Sequence, residues 1–492
     1  MSIKNTLAKT ARKVLPKSAL VELERTYRKS RAKVVAARYG NPARDLRVIA
    51  VTGTNGKTTT VNFLNEILKE AGYKTAMFST ANIEIAGIQT VNDTNSTTAT
   101  VSKLQKFFHD AKKADVEFAL IEATSHALDQ YKFAGVPIEM AIMTNLTQDH
   151  LDYHKTMENY AAAKAKLFEM QPRFIVLNTD DKYFDYFNKF EASEQKITYG
   201  ESDSAEVKIK SFKLYKKGSE AKLRIDNNVA LEIATNLPGE FNVYNMTAAA
   251  AGAYLLGISL QDIQEGIANL EGISGRFQYA TSDLPFEVVV DYAHTPDALE
   301  KLLQTSKKIT KNRTILVFGA CGDRDREKRP IMGKIAQDLA DRIIVTDEEN
   351  YTEDAKQIRE EVITGFSKKN GKIPANIQEI PDRKEAIRKA LQIAGKGDTV
   401  LITGLGHEVY RIIDGEKNPW NDTEIVREIS KEIFSIYLVE KTRYKRYWTI
   451  PFVVAYFRAK AEGKGWSDYY IDSLRVNMYM FRFFLIYTVV ND

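Results

Sequence analysis

A single cysteine, Cys321, occurs in 492 residues. That excludes a disulfide framework and any four-thiolate zinc site, and it fits a reducing, cytoplasmic setting. No run reaches the roughly 18 apolar residues that a bilayer span requires. No secretory signal is visible, because the first forty residues are basic and lack a sustained apolar stretch. Internal repeats and low-complexity segments are also missing. Charge of one sign is scarce: 70 Lys and Arg stand against 65 Asp and Glu, a net of +5. Composition therefore makes no case for a nucleic-acid partner.

What is present is ordinary for a globular protein, with 44% hydrophobic and 27% charged residues. The length calls for two to four domains. Positive charge is uneven: residues 1–45 hold many Lys and Arg, and the last fifty or so are basic and aromatic. Such segments usually form solvated helix faces, although basic and aromatic residues also suit a membrane surface.

Residues 3–38 read as one or two amphipathic helices broken at Pro16. A short apolar strand, Leu46 to Val51, then runs into Gly53-Thr54-Asn55-Gly56-Lys57-Thr58-Thr59, followed by a helical pattern from Val61 to about Ala71. Strand candidates at Phe118–Glu122, Met140–Asn145 and Phe174–Asn178 alternate with helical stretches, as in an α/β fold with a mostly parallel sheet. Residues 205–233 read as a small antiparallel insertion, with turns at Lys217-Gly218 and at 226–228. A second α/β run follows Gly275, with strands at 286–291, 313–319, 342–346 and 399–404. Helices are expected at about 297–309, 330–340, 354–369 and 383–394. The expected domains are a basic helical leader (1–45), a central nucleotide-binding domain (46–274), a second α/β domain (275–435) and a tail (436–492).

A strand, a glycine loop ending in Lys-Thr and a helix form a phosphate cradle. Backbone N–H groups and the helix N-terminus face the anion, Lys57 supplies a cation, and Thr58 can ligate Mg²⁺. Val51 stands where the full eight-residue pattern has its first glycine. Glu122 ends one strand and precedes Thr124-Ser125-His126. Asn145-Leu146-Thr147-Gln148-Asp149-His150-Leu151-Asp152-Tyr153-His154 follows another. A carboxylate and an imidazole at strand ends beside a triphosphate suit Mg²⁺. Taken alone, His150 and His154 are as readily structural, or zinc-binding.

These strings, with Asp291-Tyr292-Ala293-His294-Thr295-Pro296-Asp297, resemble the Mur ligases, most closely the branch that adds the third residue to UDP-N-acetylmuramoyl-dipeptide. The runs at 163–168, 238–245 and 319–325 match as well, so the resemblance covers residues 46 to about 435 in order. It implies a P-loop-type central domain and a Rossmann-like second domain. It also implies an ATP-dependent ligase in peptidoglycan precursor synthesis, which activates a carboxylate as an acyl-phosphate for attack by an amine. By position, Lys57 and Thr58 would hold the γ-phosphate and Mg²⁺, and Glu122 and His150 would ligate metal. Lys164 aligns with a lysine carbamylated by CO₂. Asn242 and Asn245 would contact adenine, while Arg276, Asp291 and His294 would position ATP. Thr97, Thr98, Thr124, Gln130 and Lys132 would border the muramyl-peptide-like acyl substrate.

The chain departs from that pattern in four places. Only about 45 residues precede the first strand, where the branch carries a full UDP-binding domain. Ala99 replaces a proline after Thr97-Thr98, and Lys132 stands at an arginine position, which keeps charge but loses the bidentate fork. At the amino-acid selector, Asp347-Glu348-Glu349-Asn350-Tyr351 replaces an Asp-Asn-Pro-Arg pattern. Tyr351 takes the arginine position, and Glu348 and Glu349 would favour a basic or diamino acid. Leu405 replaces a lysine, although Gly404 and Glu408 remain as substrate contacts. A folylpolyglutamate-synthase-like ligase and a non-catalytic nucleotide-binding scaffold are the alternatives.

Overall fold

The computed structural model describes residues 16–92, 99–226, 229–282 and 284–433. The leader before Pro16, Thr97 and Thr98, the turn at 227–228 and the tail 436–492 lie outside the described residues. The chain divides into two units, 1–426 and 427–492. The described part of the second, 427–433, is helical. Among the described residues no helix is long and apolar enough to cross a membrane.

The first sheet has eleven strands. They are β1 (Arg47–Thr52), β2 (Thr75–Phe78), β3 (Asn82–Ile85), β4 (Ile88–Val91), β5 (Phe118–Glu122), β6 (Met140–Met143), β7 (Phe174–Asn178), β8 (Gln195–Gly200), β9 (Val207–Tyr215), β10 (Gly218–Ile225) and β11 (Val229–Thr235). Their order is β11-β10-β9-β8-β7-β6-β1-β5-β2-β3-β4. The run from β9 to β2 is parallel, and each end is closed by antiparallel strands.

Strand periodicity divides the core. Ile49 and Val51 of β1 pack on one face, against helices Lys57–Glu70, Glu240–Leu255 and Leu260–Asn269; Val48 and Ala50 pack on the other. Gly266 allows two of those helices to touch, since a Cβ there would lie 2.4 Å from the Cα of Ile67.

The stretch at 205–233 is not a separate insertion. Tyr199 and Gly200 of β8 pair in parallel with Val207 and Lys208 of β9, so the antiparallel strands extend the main sheet. The reason is burial: Val207, Ile209, Leu223, Leu231 and Ile233 join the same apolar cluster as β1. The strands β2 to β4 were not legible because each has four residues, too few to show a period.

The second sheet has six strands, β12 (Gln278–Thr281), β13 (Glu287–Asp291), β14 (Thr314–Phe318), β15 (Arg342–Val345), β16 (Ile377–Glu379) and β17 (Thr399–Thr403), in the order β12-β13-β17-β14-β15-β16. All pairs but β12–β13 are parallel. The helix expected over 354–369 spans Ala355–Ile363. It stops where Gly365 passes against Pro330, whose carbonyl oxygen would lie 1.9 Å from a Cβ at that glycine.

Beneath this sheet Arg383 and Asp422 form an ion pair with both side chains 0% exposed. Two bonds of 2.9 and 2.7 Å join them, and Arg383 also donates to the Thr403 carbonyl at 2.8 Å. Removing one partner leaves the other charge buried and alone, at about 3–5 kcal/mol. Arg383→Met should therefore lower the free energy of unfolding by about that much in a denaturant titration, whereas the double variant with Asp422→Leu should recover most of it.

Candidate active site

The phosphate loop, Glu122 and the Asp149–His150 loop each begin at the C-terminal end of a parallel strand. β1 delivers the phosphate loop. Gly53 and Gly56 have φ of 148° and 87°. A Cβ would lie 1.8 Å from Thr144 Oγ1 at Gly53 and 2.2 Å from Asn245 Oδ1 at Gly56. Only glycine fits these positions, by conformation and by space. The loop is then pinned from outside: the Asn55 amide donates to Asn145 Oδ1 at 2.9 Å, and Thr144 Oγ1 donates to the Asn55 carbonyl at 2.6 Å. Thr58 and Thr59, in the first turn of the following helix, are buried.

Two lysines converge on this loop. Lys57 Nζ donates to the carbonyls of Gly53 and Thr54 at 2.9 and 2.7 Å. Lys164 Nζ donates to the same Gly53 carbonyl at 2.7 Å and lies 4.7 Å from the centre of the Tyr160 ring. Lys164 is 1% exposed, so it is not the solvent-facing helix residue that its alanine-rich surroundings suggest. Burial, with Lys57 beside it, holds its amine well below the usual range. Burial also lowers Lys57, against the pull of Glu122 and Asp149.

β5 ends in Glu122, 1% exposed, beside Val51 in the parallel register. Its carboxylate accepts from the Thr58 hydroxyl at 2.9 Å, the Thr80 hydroxyl at 2.9 Å and the Thr80 amide. Arg276 of the second domain reaches across and donates to Thr58 Oγ1 at 3.1 Å. Hydroxyl and carboxylate oxygens thus meet at one point.

The loop after β6 presents Asp149 and His150. His150 adopts a left-handed conformation, φ 55°. Its Nε2 lies 3.2 Å from Asp149 Oδ2, and its ring sits 4.7 Å from that of His126. Burial drives His150 down to about 3, so its imidazole is neutral. His154, pushed to about 4 mainly by burial, pairs with Ser125 Oγ at 2.9 Å and belongs to the supporting wall. Burial alone would raise Asp149, but His150, Lys328 and His294 reverse this and hold it below the carboxylate range.

Thr58, Glu122 and His150 can offer oxygen and nitrogen to a cation. Among the described residues, no three His, Cys, Asp or Glu side chains converge as metal ligands. A cation here would complete its shell with water and substrate oxygens, which is how Mg²⁺ usually binds.

The second domain closes the opposite wall. Asn55 donates to Asp297 at 2.8 Å, Gln148 donates to Asp325 at 3.3 Å, and Lys328 stands 4.0 Å from Asp149. Between the walls lies a cavity of about 770 Å³, lined by Lys57, Asn145, Tyr244, Arg276, Tyr292 and His294 among others. His294 is driven to about 4 by burial, with its Nδ1 2.8 Å from the Tyr292 carbonyl.

Other expected positions sit differently. Asn242 is not on the cavity wall: it donates to the Pro238 carbonyl at 2.8 Å and accepts from Asn245 at 3.2 Å, while Asn245 backs Gly56. Asp291 borders the cavity, but its oxygens are engaged by the amides of Phe277 and Ala293 at 2.7 and 2.8 Å. Thr124 caps its short helix by accepting from the Ala127 amide at 3.2 Å. Gln130 and Lys132 follow that helix, outside the cavity lining.

Glu348, Glu349, Gly404 and Glu408 form a separate group at the C-terminal edge of the second sheet. Glu348 Oε1 accepts from Cys321 Sγ at 2.8 Å, and Glu349 accepts from the Ile412 amide at 2.9 Å and the Tyr351 hydroxyl at 3.1 Å. Gly404 makes room, since a Cβ there would lie 2.2 Å from Glu348 Oε2. Sequence reasoning missed Asp149, Thr80, Tyr160, Asp297 and Lys328. Asp149 and Asp297 stood inside the quoted strings, whereas nothing in the pattern marks Thr80 or Lys328.

The arrangement has known counterparts. The Mur ligase middle domain matches residues 51–253, and the Mur ligase glutamate ligase domain matches residues 275–406. A UDP-N-acetylmuramoyl-L-alanyl-D-glutamate–2,6-diaminopimelate ligase of Clostridium acetobutylicum is 38% identical over 424 residues, 86% of each chain. The chain belongs to the Mur ligase family. A ligase of the same name from Aquifex aeolicus is 40% identical over 85% of this chain and 84% of its own. Among solved structures, another such diaminopimelate ligase aligns at 36% identity, TM-score 0.56, covering 79% of each chain. Folylpolyglutamate synthase of Mycobacterium tuberculosis aligns with TM-score 0.64 at 17% identity, covering 76% of this chain and 92% of its own, a likeness of fold alone.

The acidic group gives this Mur ligase a pH signature. Burial, with Glu349 nearby, pushes Glu408 up to about 8 from an ordinary 4.5. Between those values the folded chain keeps a proton that the unfolded chain releases, so Glu408 lowers stability as pH rises through this window. Glu408→Gln should melt higher than wild type at pH 8 and show little difference at pH 5. An equal difference at both pH values would contradict the assignment.

Proposed function

We propose that this Mur ligase forms an amide bond between a muramyl-peptide carboxylate and an amino acid at the expense of ATP, in peptidoglycan precursor synthesis in the cytoplasm. The reading is carried by one observation: Lys57, which with Glu122 lines a cavity walled by both domains, shares the Gly53 carbonyl with the buried Lys164.

The phosphate loop amides and Lys57 hold the β/γ-phosphates, and Arg276 and His294 approach them from the second domain. Thr58, Glu122 and His150 would hold Mg²⁺, which when bound would neutralise charge on the transferring phosphoryl group. Phosphoryl transfer to the substrate carboxylate yields an acyl-phosphate; the amine then attacks the carbonyl carbon and inorganic phosphate leaves. The wall of Asp149, Lys328, Asn55 and Asp297 keeps the two domains together and shields that intermediate from water.

Lys164 is suited to carbamylation. The unprotonated amine is the form that adds to CO₂; the new N–C bond forms as a proton leaves, and the carbamate places an anion facing Lys57. On exposure to ¹³C-bicarbonate, wild-type protein should show a carbamate ¹³C resonance that Lys164→Arg lacks; identical spectra would remove this assignment.

For the amino acid, the relatives named above add 2,6-diaminopimelate. In this chain Glu349 accepts from the Tyr351 hydroxyl, Arg324 stacks on the Tyr351 ring, and Glu348 and Glu408 add carboxyl groups at the same edge of the second sheet; we assign a basic or diamino acid, with lysine and ornithine preferred. Purified protein given UDP-muramoyl-dipeptide and an amino-acid panel should release phosphate with lysine or ornithine. Lys57→Ala should reduce release by about 10²-fold or more. Incorporation of diaminopimelate alone would sink the specificity, and no release with any pair would sink the ligase reading.

Membrane-surface contact through the leader is a further part of this reading. Leu23, Tyr27 and Val34 are 55%, 55% and 68% exposed along one helix face. Sedimentation with anionic vesicles that Leu23→Glu leaves unchanged would remove it.

A further inference from the structure

Glu122, the carboxylate placed to meet Mg²⁺, is approached from two sides by one corner of the second domain. The corner forms where Gly275 passes over Gly406 and His407. A Cβ at Gly275 would lie 2.2 Å from the His407 amide nitrogen and 2.4 Å from the Gly406 carbonyl carbon. Gly275 is also held at φ 66°, so only glycine lets the two segments lie this close. Tyr292 completes the corner: its ring centre is 5.1 Å from that of His407 and 4.4 Å from the Arg276 guanidinium.

One arm leaves through Arg276, which donates to Thr58 Oγ1 at 3.1 Å; Thr58 in turn donates to Glu122 Oε1 at 2.9 Å. The other leaves through His407. Its side chain is 4% exposed, and its imidazole meets the Thr80 backbone in a bond that favours ring protonation, as a carbonyl acceptor does. Nδ1 is buried without a partner, so Nε2 is the nitrogen turned to Thr80. The nearest Glu408 oxygen, 3.8 Å from Nε2, is too far for a hydrogen bond. Burial holds His407 down to about 3, so the ring is neutral and carries one N–H, which the Thr80 carbonyl fixes on Nε2.

Thr80 lies in the turn between β2 and β3 and holds both oxygens of Glu122. Its amide donates to Oε1, and its hydroxyl donates to Oε2 at 2.9 Å. His407 itself is not on the cavity wall, so it reaches the site only through Thr80.

We infer that His407 is a positioning residue for the metal carboxylate: through Thr80 it sets the direction of Glu122 when the second domain is docked. The inference rests on the reading of Glu122 as a Mg²⁺ ligand. A group that holds a metal ligand without touching the metal fixes that ligand's orientation, and losing it typically weakens metal binding ten- to a hundredfold, by about that order. Metal affinity in the first domain therefore depends on a side chain of the second.

The test is a titration of Mn²⁺, read by electron paramagnetic resonance, into full-length protein saturated with a non-hydrolysable ATP analogue. Mn²⁺ takes the same oxygen ligands as Mg²⁺. His407→Met removes the N–H at similar volume, whereas His407→Gln keeps an amide donor. The Met variant should bind Mn²⁺ roughly tenfold more weakly than wild type, and the Gln variant should recover most of that loss. Affinity for the analogue without metal should be the same in all three, which shows that the nucleotide site is folded. Equal Mn²⁺ affinity in the Met variant and wild type, or an equal loss in both variants, overturns the inference. If His407→Met does not fold, wild type labelled with ¹⁵N-histidine decides. The ring signal that His407→Gln lacks should be neutral and protonated on Nε2; protonation on Nδ1 overturns the inference. Glu122→Ala separates the two readings: if it binds Mn²⁺ as tightly as wild type, the metal role of Glu122 falls, and that of His407 with it.

Discussion

Two buried lysine amines directed at one carbonyl oxygen are the constraint on which the rest of this structure turns. Lys57 and Lys164 share the oxygen of Gly53, and among the described residues neither makes an ion pair with a carboxylate. Burying even one unpaired cation is expensive, and two side by side raise the cost further. The fold tolerates the pair because neutralisation of Lys164 relieves it and because an anion in the loop would answer Lys57. A site that is uncomfortable without negative charge is prepared to bind it.

The scaffold around the pair is correspondingly rigid. Gly53 and Gly56 admit no side chain, and Thr144, Asn145 and Asn245 fix the loop from behind. Glu122 is pinned by three donors before any metal arrives. The second domain contributes by contact across the cleft, through Arg276 on Thr58, Asp297 on Asn55 and Lys328 near Asp149. Phosphoryl transfer needs positioning more than covalent help from the protein, and this arrangement supplies positioning from two independent sheets.

Much of this was legible in the sequence, for physical reasons. The phosphate loop, Glu122 and the strand ends could be read because glycine, a terminal Lys-Thr and apolar runs each have a distinct local signature. The antiparallel strands at 205–233 were legible as strands, but their attachment to β8 was not, since pairing partners leave no trace in one chain. Lys164 could be placed only by resemblance: its burial depends on Tyr160 and Gly53, 4 and 111 residues away in sequence. Thr80 and Lys328 were missed for the same reason, because what marks them is a partner across the fold. Asn242 could be picked out as an amide in the sequence, but its bonds to Pro238 and Asn245 could not, because they too are set by the fold.

Transfer of the γ-phosphoryl group to the substrate carboxylate is the step on which the ligase reaction depends, and isotopic labelling reads it directly. With the acyl substrate labelled by ¹⁸O in its reacting carboxylate, the mass of the released phosphate should show one ¹⁸O per turnover. That oxygen reaches phosphate only through an acyl-phosphate. Unlabelled phosphate released in step with amide formation would contradict the mechanism, whatever the affinity for ATP.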